Sequence, residues 1–382
     1  MKILKIKADG LPLYKEPFEV SFYALQRVQN KNSVYNLFNN IYINTAEAFI
    51  GINASGKSTA LNVITFCNLL LNAAPLNNEF IPDILESNVN TFFDIYFYEN
   101  NKIYHLKTEL VKFKQADGKD TIEIVSEKLW DKDVTYKINK NNLLNFTDED
   151  LKRVRDNKDE YLPADVSIMI AINKQATEPR VFIDLGAFTN FNFFMPGLDT
   201  VQPEIATLLD HTIEYIRIEK VNNKSLAKLK FYGKDEIVLY NPGELNKYLS
   251  SGTIKGIRVF TEVERALKYG GYILVDEIEN HFNRELVAIL IRLFTDKRIN
   301  PKGAVIIFST HYPELLDELD RNDCIFITRN SGNLQVDNLN TLLKRNDIKK
   351  SEVYQSNYLG GTAPKYDAIK ALKKRIIRNQ EA

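Results

Sequence analysis

Apolar and polar residues alternate along MKILKIKA (1–8) and FEVSFYA (18–24), the two-residue period of half-buried strands. AEAFIGI (46–52), apolar apart from Glu47, reads as a buried strand leading into the glycines. KSTALNVITFCNLLLNAA (57–74) then switches to helical spacing. TFFDIYFYENNKIYHLKTELVKFK (91–114) holds two alternating runs around Glu-Asn-Asn-Lys, which predicts a hairpin, and DGKDTIEIVSEKLW (117–130) adds a turn and a strand. Residues 145–165 are rich in charge and read as helical, whereas 166–245 are mixed and give no clear period. TIKGIRVFTEVERALKY (253–269) reads as a helix stopped by Gly270-Gly271. YILVDE (272–277) and AVIIFST (304–310) read as buried strands, with a helix over 283–296 between them. HYPELLDEL (311–319) reads as a helix start and CIFITRN (324–330) as the last strand. Buried strands alternating with helices imply an α/β protein with a mainly parallel core sheet. The hairpins at 90–130 imply an antiparallel β lobe beside it. There is no internal repeat, low-complexity linker or heptad run.

Composition narrows the class. The 382 residues are 44% hydrophobic and 26% charged, a globular balance with enough chain for a sizeable core. Fifty basic residues cancel fifty acidic ones, which argues against a protein coated by nucleic acid but leaves room for a local basic patch. Cys67 and Cys324 are too few and too far apart for a disulfide framework. The start lacks the apolar run of a signal peptide, and no run of about 18 apolar residues offers a membrane span. The expectation is a cytoplasmic protein with no membrane partner.

Gly51-x-x-x-x-Gly56-Lys57-Ser58, between a buried strand and a helix, fits a phosphate-binding P-loop. Its glycines let successive N–H groups face one anion, and the following helix adds its dipole. Lys57 is expected to reach the β- and γ-phosphates of ATP and Ser58 to ligate Mg²⁺. The alternative is a plain glycine-rich strand-to-helix turn. Asp276 and Glu277 end the buried strand YILVDE, where α/β sheets bind ligands. Two carboxylates there need neutralising, and Mg²⁺ does this; a simple helix cap by Asp is the alternative. Asp276 is then a metal-handling residue and Glu277 the base that activates water.

Leu249-Ser250-Ser251-Gly252-Thr253 precedes a helix, so its free N–H groups form either a second anion site or an ordinary capped start. The first option matches the signature loop of ABC-type ATPases. His311 ends the strand after the acidic one, near the expected γ-phosphate, where it can sense hydrolysis. His281, just past the acidic pair, has a weaker case as a subunit contact. The C-terminal stretch Lys365–Arg378 has six basic residues and one acid, either a solvated helix or a surface for nucleic acid or an acidic partner.

GINASGKST, LSSGT, ILVDEIENHF and FSTHYPELLD, in this order, resemble the ABC-type AAA ATPases of the OLD and abortive-infection group. TFFDIYFYENNKIYHLKTEL, SEKLW and YLGGTAPKYDAI are similar to its AbiL-like branch. The resemblance implies a P-loop NTPase with ATP held by Asn53, Ala54, Ser55, Gly56, Lys57, Ser58 and Thr59. It implies Mg²⁺ at Ser58 and Asp276, catalysis by Lys57, Glu277 and His311, and contact of Ser250, Ser251 and Gly252 with a partner's ATP. No convincing glutamine loop is present; the first Gln after the P-loop is Gln115, in a hairpin strand. The implied biology is an ATPase switch in bacterial anti-phage defence that controls a separate effector or toxin, with no nuclease on this chain. The implied assembly is a homodimer or higher homo-oligomer closed around ATP, and nucleic acid or a phage protein is a possible trigger. A DNA-repair or DNA-end-binding ATPase is the main alternative; it calls for a long coiled coil or a basic surface. A transporter subunit is less compatible, because 219 residues separate Lys57 from Asp276 (276 − 57), room for a large inserted lobe. The expected organisation is an N-terminal ATPase half (1–140), a helical or mixed insertion (141–245), a C-terminal ATPase half (246–335) and a tail (336–382).

Overall fold

The computed structural model describes the chain except residues 79–80, 156–161, 175–178, 187–200, 222–223, 281, 344, 346–347, 364–365 and 381–382. The first half runs β1 (Lys2–Asp9), β2 (Phe18–Ser21), the hairpin β3 (Val34–Phe38) and β4 (Ile41–Asn44), β5 (Ala46–Ile50), helix α1 (Lys57–Leu71), β6 (Asn90–Glu99), β7 (Lys102–Lys114), β8 (Asp120–Asp133) and β9 (Leu151–Arg155). Then follow α2 (Ile170–Asn173), β10 (Phe182–Asp184), α3 (Pro203–Leu209), β11 (Ile213–Val221), β12 (Lys224–Phe231) and β13 (Ile237–Leu239). The last part holds α4 (Ser251–Tyr269), β14 (Tyr272–Val275), α5 (Arg284–Thr295), β15 (Val305–Thr310), β16 (Ile325–Asn330), β17 (Leu334–Asn338), α6 (Leu339–Leu342), α7 (Lys350–Gln355) and α8 (Tyr366–Gln380).

The core sheet has the order β10-β14-β15-β5-β16-β17. Its first five strands are parallel and β17 is antiparallel. The second large sheet, β2-β1-β6-β7-β8-β9, is antiparallel throughout. Helix α1 lies between the two. Its Phe66 ring stacks on Phe93 of β6, with centroids 5.1 Å apart, and its apolar residues share one core with Phe49, Ile307 and Phe326. The opposite face of the core sheet, with Ala48, Ile50, Ile273 and Ile306, packs on α4 and α5. Burial on both faces is why β14, the first four residues of β15 and, Glu47 apart, β5 are apolar at successive positions rather than alternating.

Local signals placed most elements. Asn100 and Asn101, with φ of 49° and 60°, form the two-residue turn that the right-handed twist of β6–β7 favours. Gly270 ends α4 in the left-handed region (φ 65°), and the Gly271 N–H closes back on Ala266 O at 2.9 Å. A Cβ on Gly271 would sit 2.4 Å from Val181 O, so the chain approaches β10 closely there.

Several expectations are corrected. Residues 145–165 are not one helix: a single turn, Asp148–Asp150, capped by Thr147, leads into β9, which pairs with β8. The 141–245 segment supplies β10 to the core sheet, beside β14, as well as the small sheet β11-β12-β13. The segment after His311 is a 3₁₀ helix, Pro313–Glu318. The strand 325–330 is not the last, because β17 folds back on it.

Candidate active site

The P-loop runs from the end of β5 into α1. Gly56 caps the helix in the left-handed region (φ 95°) and Ala54 is also left-handed (φ 59°). Gly51 is required for space instead: an added Cβ would lie 2.2 Å from both Ser55 Oγ and Thr328 Oγ1. Those hydroxyls hydrogen bond each other at 2.7 Å and tie the loop to β16. Asn330 Nδ2 donates to Ala54 O at 3.0 Å, and Leu334 packs against Gly56. The β16–β17 hairpin therefore braces the loop from one side.

Lys57 Nζ donates to Gly51 O (3.0 Å) and Ile52 O (3.3 Å) and lies 3.3 Å from His311 Nδ1. An ammonium has no lone pair, so in this contact the ring accepts through Nδ1 and turns Nε2 to the other side. That nitrogen is 3.6 Å from Glu277 Oε1, so His311 lies between the lysine and the acidic strand. Burial pushes the Lys57 pKa down, and the charges of Asp276, Glu277 and Glu279 only partly restore it.

Asp276 receives two hydroxyls. Ser58 Oγ donates to Oδ2 at 2.6 Å, and Ser309 Oγ donates to Oδ1. Glu277 is left-handed (φ 47°), an arrangement that costs about 1–3 kcal/mol in a non-glycine residue and clusters at functional sites. Its N–H donates to Ser309 Oγ at 2.7 Å. Glu279 Oε1 accepts the His311 N–H at 2.6 Å.

An open pocket of about 550 Å³ joins Asn53 to Thr59 with Glu277, His311, Leu13 and the 330–334 turn. The structure thus gathers Asn53, Ala54, Ser55, Gly56, Lys57, Ser58, Thr59, Glu277 and His311 around one cavity, with Asp276 hydrogen bonded to Ser58. It does not gather Ser250, Ser251 and Gly252, which do not line that pocket. Ser250 caps α4, its Oγ accepting the Thr253 N–H at 3.0 Å, and Ser250 and Ser251 are exposed. His281 lies outside the described residues. Among the described residues no group of three His, Cys, Asp or Glu side chains forms a ready metal cage. A hydroxyl and a carboxylate in contact beside a phosphate loop are instead the hard oxygen donors that Mg²⁺ takes together with phosphate and water.

Sequence reading missed Ser309, Glu279 and the bracing residues Thr328, Asn330 and Leu334. The first two had a usable signal: an acid two residues past Glu277 and a hydroxyl two residues before His311. The hairpin had none, because Leu334–Asn338 had not been read as a strand.

No curated protein matches the chain. The family model described as "AAA domain, putative AbiEii toxin, Type IV TA system" matches residues 48–317, from inside β5 to just past His311. That span includes the P-loop, α4, the acidic strand and the histidine, so the chain belongs to this AAA-domain family.

Proposed function

We propose that the chain is an ABC-type ATPase that binds and hydrolyses ATP as a nucleotide-driven switch, controlling a separate effector in anti-phage defence. The observation that carries this reading is the line Lys57–His311–Glu277 beside Ser58–Asp276 at the mouth of the P-loop. The abortive-infection context of the family supports the biology.

Lys57 spends its donors on the loop's own carbonyls, and phosphate oxygens would replace them. His311 would then turn from Lys57 toward the γ-phosphate. Ser58 and Asp276 would hold Mg²⁺, which neutralises charge on the phosphates. Glu277 accepts a proton from water as its oxygen bonds the γ-phosphorus, and the bond to the bridging oxygen breaks to leave ADP and phosphate. Ser250–Gly252 do not line their own chain's pocket, and Ser250 and Ser251 are exposed at a helix start, which fits a loop that completes a second copy's site. A head-to-tail pair with two ATPs between its subunits follows, and hydrolysis would release it.

Mixing variants tests this. Lys57→Ala and Gly252→Asp are each expected to be inactive alone. Mixed, they should regain about a quarter to a half of wild-type activity, because a mixed pair holds one intact composite site. No recovery, with both chains folded, would refute the shared site.

A DNA-repair role is the second reading, favoured by α8, which is exposed along its described length and carries Lys370, Lys373, Lys374, Arg375 and Arg378. Duplex DNA that raises the ATPase rate in a salt-sensitive way would move the balance toward it.

A further inference from the structure

Two residues outside the assigned set, Ser309 and Glu279, tie the segment after β14 to the end of β15. Ser309 is fully buried at the end of β15. Its hydroxyl proton goes to Asp276 Oδ1, and the same oxygen accepts the Glu277 N–H at 2.7 Å. Its carbonyl accepts the Ile278 N–H at 3.0 Å. One serine thus fixes three successive residues past β14, including the one whose backbone is left-handed. Two residues further along each strand, the contact is reversed: Glu279, from the β14 side, accepts the His311 N–H at 2.6 Å.

These bonds do what strand pairing cannot. The ladder between β14 and β15 ends at Val275 and Phe308, before any of the reacting side chains. Beyond it, β15 stays paired with β5 as far as Thr310 and Ile50, and the Asn280 N–H closes a turn on Glu277 O at 2.7 Å, but the side-chain bonds that join the β14 side to the β15 side are those of Ser309 and Glu279. A left-handed glutamate relaxes toward a right-handed backbone unless its surroundings hold it. A backbone rotation of that kind would carry the carboxylate away from the pocket.

We propose that Ser309 and Glu279 are positioning residues for hydrolysis: Ser309 holds Glu277 in its productive backbone, and Glu279 holds His311 beside it. The proposal rests on the reading of Glu277 as the base. It predicts that losing either bond slows turnover and leaves nucleotide capture intact, since neither residue lines the P-loop pocket.

The test uses the full chain, with phosphate release for kcat and KM, a fluorescent ATP analogue for Kd, and thermal melting. Ser309→Ala is expected to lower kcat roughly 10–100-fold, the usual effect of removing a supporting partner, with Kd within a few-fold of wild type. Ser309→Thr, which keeps the hydroxyl, should recover most of the rate. Glu279→Ala should behave like Ser309→Ala, and Glu279→Gln, which keeps an acceptor oxygen, should recover most of the rate. Should Ser309→Ala fail to fold, the Glu279 pair decides. Glu277→Gln separates the two levels. If it hydrolyses ATP at the wild-type rate, the reading of Glu277 fails. If it is silent while Ser309→Ala and Glu279→Ala run at full rate, the positioning proposal alone fails. A parallel loss of Kd, melting temperature and kcat in Ser309→Ala and Glu279→Ala would also overturn it, by making both residues merely structural.

Discussion

Gly51→Ala probes whether the P-loop is set by packing or by backbone freedom. Gly51 is not in the left-handed region, so alanine meets no conformational penalty. It would even gain about 0.4–1 kcal/mol by restricting the unfolded chain. Against this, the new methyl would lie 2.2 Å from Ser55 Oγ and Thr328 Oγ1 and 2.6 Å from Thr328 O. The last is backbone of β16 and cannot swing aside. Overpacking of this kind costs about 1–3 kcal/mol. Prising apart the buried Ser55–Thr328 hydrogen bond adds about 1 kcal/mol more. The net destabilisation is therefore about 1–3 kcal/mol. With an unfolding entropy of about 2.1 cal/mol/K per residue, this chain changes by about 0.8 kcal/mol per degree, so Tm falls by only about 1–4 °C. The functional loss should be larger. Relief of the clash moves the carbonyl that now receives Lys57 and distorts the phosphate cradle. Saturating ATP at about 100 times its Kd stabilises a binding-competent protein by about 2.7 kcal/mol. Wild type should therefore gain about 3 °C on adding ATP and Mg²⁺ in a melting scan, and Gly51→Ala should gain almost nothing. A variant with wild-type Tm and the full ATP shift would refute the packing argument.

Other consequences are open to direct measurement. Glu47 is fully buried on β5, and among the described residues neither of its carboxylate oxygens has a hydrogen-bond partner. Burial, helped by the Asp323 charge, pushes its pKa well above the ordinary value, and the nearby Asn44 amide and Arg321 offset this only in part. A raised carboxyl pKa gives stability that is full below the unfolded value of 4.5 and lost as pH rises through the folded one. Glu47→Gln should therefore flatten the decline of denaturant midpoints that sets in as pH rises above about 4.5; an unchanged profile would count against a raised Glu47 pKa. Glu127, also fully buried, accepts from Thr108, Ser167 and the Ile168 N–H and faces Arg155. Glu127→Ala removes the carboxylate facing that guanidinium, which keeps the Val166 and Pro163 carbonyls, and takes the acceptor from Thr108, Ser167 and the Ile168 N–H; it should cost about 3–5 kcal/mol by chemical denaturation, while a loss under 1 kcal/mol would contradict the network. Ser58→Ala removes the hydroxyl bonded to Asp276 and should raise the Mg²⁺ concentration needed for half-maximal hydrolysis at least tenfold. An unchanged Mg²⁺ dependence would exclude Ser58 as a ligand.

How legible each part was depended on how local its cause is. The β6–β7 hairpin was readable because alternation and the Asn-Asn turn lie within one stretch of chain. The P-loop was readable because glycine placement, lysine and flanking elements are all local. β9 was not: Leu-Lys-Arg-Val-Arg has few apolar residues, is mostly exposed, and is a strand only because β8 offers an edge. β10 is three residues long and is defined by parallel pairing with β14, about 90 residues away in sequence. The same holds inside the site. Lys57, Asp276, Glu277 and His311 follow from motif chemistry, whereas Ser309 and Glu279 take on their roles where two distant strands end side by side.

On the proposed function, Glu277 drives hydrolysis in an ATP-closed assembly. The most direct test is phosphate release and light-scattering mass for wild type and Glu277→Gln, with and without ATP and Mg²⁺. Wild type should hydrolyse ATP slowly and the variant not at all, and ATP should lock the variant into a larger assembly. Hydrolysis by Glu277→Gln at the wild-type rate, or a mass unchanged by ATP in both proteins, would contradict it.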